Sequence, residues 1–174
     1  MSTSIVLSVL SEDRPGVVET LSKVLARHGG NWMESSMLSL AGKFAGILLA
    51  ELPDAEADAF MRALSSLEAE GISVVVGAGP RSDGFGDARF VSLELVGQDR
   101  PGIVHDIAEV LARHAVNVQE LETTVQSASM SGESLFLAHA KVFIPAEADT
   151  EALRSELEAL ANELMVDLSL EGTR

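Results

Sequence analysis

Asp13-Arg14-Pro15-Gly16 returns 86 residues later as Asp99-Arg100-Pro101-Gly102. The agreement continues downstream. Val24-Leu25-Ala26-Arg27-His28 returns as Val110-Leu111-Ala112-Arg113-His114, Asn31 as Asn117 and Glu34 as Glu120. Across positions 13–34 and 99–120, 12 of 22 residues are identical. The chain is one unit used twice. What it keeps best is a loop between a strand and a helix, with the strand that follows that helix. A repeated unit that retains its loop chemistry points to binding.

Each copy reads as strand, helix, strand, strand, helix, strand. Ile5 to Leu10 is a short Val/Ile/Leu run of strand type. Pro15 suits the first turn of a helix, where its missing N–H costs nothing. Val17, Val18, Leu21, Val24 and Leu25 then follow the spacing of one helical face, and Gly29-Gly30 ends it. Strands are expected at 31–40 and 44–52, with Ala41-Gly42 as a tight turn. Pro53-Asp54 opens a second helix with Ala57, Phe60, Met61, Leu64 and Leu67 on its apolar face; Gly71 closes it before the strand Ile72 to Val76. The second copy repeats the order over 90–96, 101–114, 117–126, 135–144, 149–164 and 166–170. The expected organisation is a unit over residues 1–78, a Gly-rich linker over 79–88 and a second unit over 89–174.

A βαββαβ unit folds as an antiparallel four-stranded sheet with both helices on one face, because each crossover is right-handed. The expected class is therefore α+β, two ferredoxin-like units. The offset between copies grows from 86 at Glu34/Glu120 to 92 at Phe44/Phe136, so six residues enter the second hairpin around Ser127 to Gly132. That insertion reads either as a polar hairpin tip or as a lid or docking loop.

Composition narrows the function. Net charge is −15, with 10 acids and 5 bases in the first 80 residues. Binding DNA or RNA depends on Lys and Arg displacing phosphate counterions. A chain this acidic is expected to bind neither nucleic acid nor anionic membrane directly. There is no cysteine, which excludes disulfides and thiol chemistry and suits a cytoplasmic setting. The apolar run at the N-terminus is too short for a signal peptide or membrane span. His105 and His139 lack spaced His or Cys partners, so no metal site is expected, and no cofactor motif is present.

The loop carries the candidate chemistry. A helix N-terminus presents unpaired N–H groups and the positive end of the helix dipole, which suits a carboxylate. Pro15 cannot donate, so Gly16 and Val17 are the donors in the first copy, with Gly102 and Ile103 in the second. Asp13 and Asp99 suit an ammonium group, and Asn31 and Asn117 supply both donor and acceptor. Together these groups fit a small zwitterionic amino acid. The same residues also serve as ordinary helix-start and turn residues. His28 and His114 sit at helix ends, where a cation is favoured. Trp32, replaced by Val118 in the second copy, reads as packing or as an interface plug.

A strand, then Asp-Arg-Pro-Gly opening a helix, then Asn at the start of the next strand, resembles the ACT domain, the small-molecule-sensing module of amino-acid metabolism. The resemblance covers nearly the whole chain in two copies. Asn31-x-x-Glu34-Ser35 and Leu40-Ala41-Gly42-x-Phe44 bring it nearer to the glycine cleavage system transcriptional repressors, a tandem ACT group. The resemblance implies ligand positions at Ser11, Asp13 and Asn31, and at Gly97, Asp99 and Asn117. Serine-sensing relatives often carry His and then Asn before Arg-Pro-Gly, where this chain has Ser11 or Gly97 and Asp13 or Asp99. No catalytic constellation is visible. The expected function is a non-enzymatic, amino-acid-responsive regulator that binds glycine or a similar amino acid. It would act through a protein partner such as a transcription factor. The alternatives are a regulatory subunit of an amino-acid-metabolism enzyme and a structural dimerisation module without ligand. A homodimer is expected, because helices cover one sheet face while both alternating sets of the first strand are apolar.

Overall fold

A computed structural model describes residues 1–79, 89–127 and 133–172. The linker expected at 79–88, apart from Gly79, and the centre of the inserted hairpin loop lie outside the described residues. The chain divides into two compact units, Met1–Asp83 and Gly84–Arg174.

In the first unit, β1 spans Ser2–Glu12, α1 Val17–Arg27, β2 Asn31–Leu40, β3 Lys43–Pro53, α2 Ala57–Ser66 and β4 Ile72–Ala78. The strands lie in the order β2-β3-β1-β4, and every neighbouring pair is antiparallel. The second unit repeats this with β5 Arg89–Gln98, α3 Ile103–Arg113, β6 Asn117–Ser127, β7 Ser134–Ile144, α4 Thr150–Leu164 and β8 Val166–Gly172. Its order is β6-β7-β5-β8. The class is α+β, two ferredoxin-like βαββαβ units with antiparallel sheets.

Alternation sorts the strand residues onto two faces. Leu7 and Val9 of β1 and Leu48, Ala50 and Leu52 of β3 point to the helices and are buried with Leu21, Phe60 and Leu64. In the second unit Leu93, Leu95, Ala140 and Val142 do the same against Ile107, Leu111 and Leu157. The opposite face of each sheet carries no helix of its own unit.

Local chemistry explains the turns. Ala41 (φ 50°) and Gly42 (φ 77°) both adopt positive φ, the two-residue hairpin turn whose twist matches that of the strands. Helix α1 ends at Gly29 (φ 65°), and the Gly30 N–H returns to the Leu25 carbonyl at 2.9 Å. The second unit makes the same turn with Ala115 (φ 56°), and the Val116 N–H reaches the Leu111 carbonyl at 2.9 Å. Both edge strands shift register at one place, between Trp32 and Glu34 and between Val118 and Glu120.

Two local expectations are corrected. Helix α1 starts at Val17, because Gly16 takes a left-handed conformation as its N-cap; Pro15 therefore precedes the helix instead of filling its first turn. The segment after Pro53 begins as a 3-10 turn, Asp54–Glu56, and Met61 is 43% exposed on the outer side of α2. Among the described residues no helix is long and apolar enough to cross a membrane.

Candidate functional site

The two Asp-Arg-Pro-Gly loops have the same backbone. Gly16 (φ 96°) and Gly102 (φ 91°) are both left-handed N-caps, and their carbonyls accept from Thr20 and Asp106 at 2.9 Å in each case. Such φ values are strained for any residue with a Cβ, although a Cβ at either position would meet nothing within 4 Å. Glycine is required by the turn, and the space in front of it is open. No side chain caps α1 or α3. Val17 and Ile103 are 3% exposed, so they anchor the helix starts in the core and offer a ligand only their backbone N–H.

Asp13 and Asp99 stand exposed just beyond the ends of β1 and β5. The Asp13 N–H donates to the Gly42 carbonyl and the Asp99 N–H to the Ser134 carbonyl, both at 2.9 Å, tying each loop to the neighbouring hairpin. The carboxylates differ: Asp13 Oδ2 accepts from Ser39 Oγ at 2.5 Å, while Val125 stands at the position of Ser39 in the second unit. The arginines differ too. Arg14 donates to the Glu70 carbonyl at 2.7 Å, and Arg100 pairs with the Asp106 carboxylate at 3.1 Å.

Ser11 and Gly97 lie at the helix-side ends of their strands. Ser11 is 4% exposed and its hydroxyl donates to the Glu12 carbonyl at 3.0 Å. Gly97 packs against Val166, whose side chain occupies the volume that a Cβ at Gly97 would need. Both positions are buried.

Asn31 and Asn117 do not join the loop residues within a unit. Asn31 is opposite Glu51, which is opposite Ser4, whereas Asp13 follows Glu12. Asn117 likewise stands level with Phe143 and Phe90, and Asp99 follows Gln98. Nine strand positions of about 3.3 Å each put each Asp and its Asn roughly 30 Å apart. One unit therefore does not bring the expected Asp–Asn pair to one ligand. The Asn31 amide donates to Met33 Sδ at 3.1 Å.

The remaining candidates have structural partners. His28 Nδ1 lies 2.9 Å from Glu56 Oε2, tying the end of α1 to the 3-10 turn before α2, and His114 Nε2 lies 2.6 Å from Glu156 Oε2, tying the end of α3 to α4. Trp32 is half-buried against the first core and donates to Ser35 Oγ at 3.2 Å. Sequence reasoning missed Ser39, Glu56 and Glu156. The two glutamates become partners through helix packing, and no local motif marks them. Among the described residues no group of three His, Asp or Glu is placed to hold a metal ion.

The family model for the ACT domain matches residues 91–162, and a second ACT domain model matches residues 3–76. A solved structure of an unknown protein from Galdieria sulphuraria is 30% identical, covers all of both chains and superposes with a TM-score of 0.89. The structure of a candidate glycine cleavage system transcriptional repressor covers 100% of this chain and 99% of its own, with a TM-score of 0.74 and 16% identity, a likeness of fold. UPF0237 proteins of Methanocaldococcus jannaschii and Methanopyrus kandleri are 37% and 39% identical over 54 residues. Those matches cover 31% of this chain and span 60% of the length of these curated relatives. With each unit matched over most of its length, the chain belongs to the ACT domain family and carries the domain twice.

Proposed function

We propose that this chain is a non-enzymatic, amino-acid-responsive regulator of the glycine cleavage system repressor type. In this reading it binds a small amino acid, glycine or a near relative, at its Asp-Arg-Pro-Gly loops and acts through a protein partner such as a transcription factor. The observation that supports the reading is the doubled loop. Twice, a left-handed glycine opens an uncapped helix beside an exposed aspartate, with free space in front of the glycine. The ligand carboxylate would accept from the N–H groups of Gly16 and Val17, or of Gly102 and Ile103, with the helix dipole in support. Its ammonium group would face Asp13 or Asp99. Asn31 and Asn117 stand outside this site, at the opposite ends of their sheets.

The second copy is the better candidate of the two, because the Asp99 carboxylate is not shared with a serine as Asp13 is with Ser39. The net charge of −15 supports action through a protein instead of through nucleic acid. The likeness to a candidate glycine cleavage repressor supports the transcriptional role over the enzyme-subunit alternative.

Thermal unfolding of the purified chain with each of the twenty amino acids tests the reading. A ligand present at about 100 times its Kd should stabilise the fold by about 2.7 kcal/mol. Asp99→Ala should reduce that shift and Asp13→Ala with Asp99→Ala should remove it. A flat response across the panel would leave the scaffold alternative standing instead.

A further inference from the structure

A cavity of about 40 Å³ lies inside the second unit, under the seam between α3 and the edge strand β6. Ile107 and Leu111 of α3, Phe136 and Ala138 of β7, and Val118 and Leu121 of β6 stand around it. All eleven of its lining residues are Leu, Ile, Val, Ala or Phe. The sequence explains the space. At the matching place in the first unit the chain supplies its own filling: Trp32 and Met37 of β2 pack against the core, Trp32 opposite Ala50 and Met37 opposite Gly46. Val118 and Thr123 stand at those positions in the second unit, opposite Val142 and Ala138. An indole and a thioether have been replaced by two short side chains. Leu121, at the place of Ser35, gives back part of that volume, and the cavity is what remains.

We propose that this cavity is a binding site for the isopropyl end of a small branched aliphatic molecule, whose polar head stays in water at the seam. Water itself is a poor occupant, because a buried water needs two to four polar partners and these side chains offer none. Size selects among apolar groups. A water takes about 10–15 Å³ of such space, so the cavity holds roughly three methyl-sized groups, far short of the about 150 Å³ that admits a benzene ring. An isopropyl group has three carbons; a strand or helix of another protein does not fit. Charge sets the head group. The net charge of −15 works against an anion at the mouth, so a neutral head binds at least as well as a carboxylate. Every lining residue belongs to the second unit, so the walls are made without the first. Entry is by way of the seam, where β6 is the edge strand of its sheet. The site is separate from the Asp99-Arg100-Pro101-Gly102 loop, none of whose residues lines it, and it stands or falls independently of the reading given to that loop.

Titration of the isotope-labelled full chain with 3-methylbutan-1-ol, read by the methyl resonances of Val104, Val118 and Leu121, tests this. Saturable shifts with a Kd on the order of 10 mM are expected from burying three carbons. Ethanol, the same alcohol without the isopropyl group, should bind on the order of 50-fold more weakly, and isovalerate should exceed acetate in the same way. Val118→Trp restores the side chain that the first unit uses, and Ala108→Leu fills the space from the helix wall. Each should keep the fold by circular dichroism and abolish the shifts of the remaining methyls. Thr124→Ala, opposite Leu137 on the other face of β6, should leave binding unchanged. The absence of saturable shifts with 3-methylbutan-1-ol overturns the proposal, as does equal binding of ethanol. So does binding that survives whichever filling variant remains folded. Loss of binding in Thr124→Ala would put the alcohol on the opposite face and overturn it too.

Discussion

The two units share a backbone in detail and differ in what they show the solvent. Strand order, the register shift early in the edge strand, the left-handed glycine before the first helix and the histidine–glutamate link between helices all recur. The open sheet faces do not: Val75, Ile47 and Leu49 in one become Ser169, His139 and Lys141 in the other. His139 Nδ1 lies 3.5 Å from Glu94 Oε1 and Lys141 Nζ 3.6 Å from Glu120 Oε1, exposed pairs that make the second face wettable and contribute little to stability. The fold is specified by the helix-side residues, which leaves the other face free to change character without loss of the fold.

The largest expected effect that probes this comparison is in the cores. Phe60 is 1% exposed and meets His28 edge-on at 5.8 Å; Leu153, on the buried side of α4, is also 1% exposed. Phe60→Ala should cost about 3–5 kcal/mol and Leu153→Ala about 2–5 kcal/mol in urea unfolding. If either costs under about 1 kcal/mol, that core is not packed as described.

Next come the loop glycines. Gly16→Ala and Gly102→Ala should each cost about 1–2 kcal/mol, and by the same amount, since the cost is conformational and neither Cβ meets a neighbour. A clear inequality between the two in chemical denaturation would break the claim that the loops share one backbone.

The smallest is a swap. Ala115 holds the left-handed position that Gly29 holds in the first unit. Ala115→Gly should stabilise by about 0.5–1 kcal/mol, less than the relieved strain because glycine also loosens the unfolded chain. Gly29→Ala should cost a similar amount, its Cβ meeting only Pro53 at an ordinary 3.6 Å. Equal signs for the two changes would show that the turns are not equivalent.

Much of this was legible in the sequence. The repeat gave the two units, the runs around Leu7 and Leu93 gave the first strands, and Ala41-Gly42 gave the hairpin turn. The excess apolar set on β1, Val6 and Leu10, marked the open face before any pairing was known. The helix start was misplaced because Pro15 and Gly16 both favour a first turn, and only the backbone conformation of Gly16 decides between them. The candidate site split for a topological reason. After a strand and a returning helix, the next strand starts level with the start of the first, so Asn31 lies at the end of the sheet away from Asp13. The connectivity already contained that separation. The contrast between the two open faces was harder to see, because its rows combine residues from four strands, Val75 with Ser8, Ile47 and Ser36, that only register brings side by side.

The charged second face also bears on how copies meet in solution. A duplicated unit starts with two identical faces. Glu94, Glu122, Asp167 and Glu171 now stand on one of them, so that face carries like charge from copy to copy and opposes contact with its own kind. Divergence between the repeats has thus changed solubility on one face while leaving the fold beneath it in place.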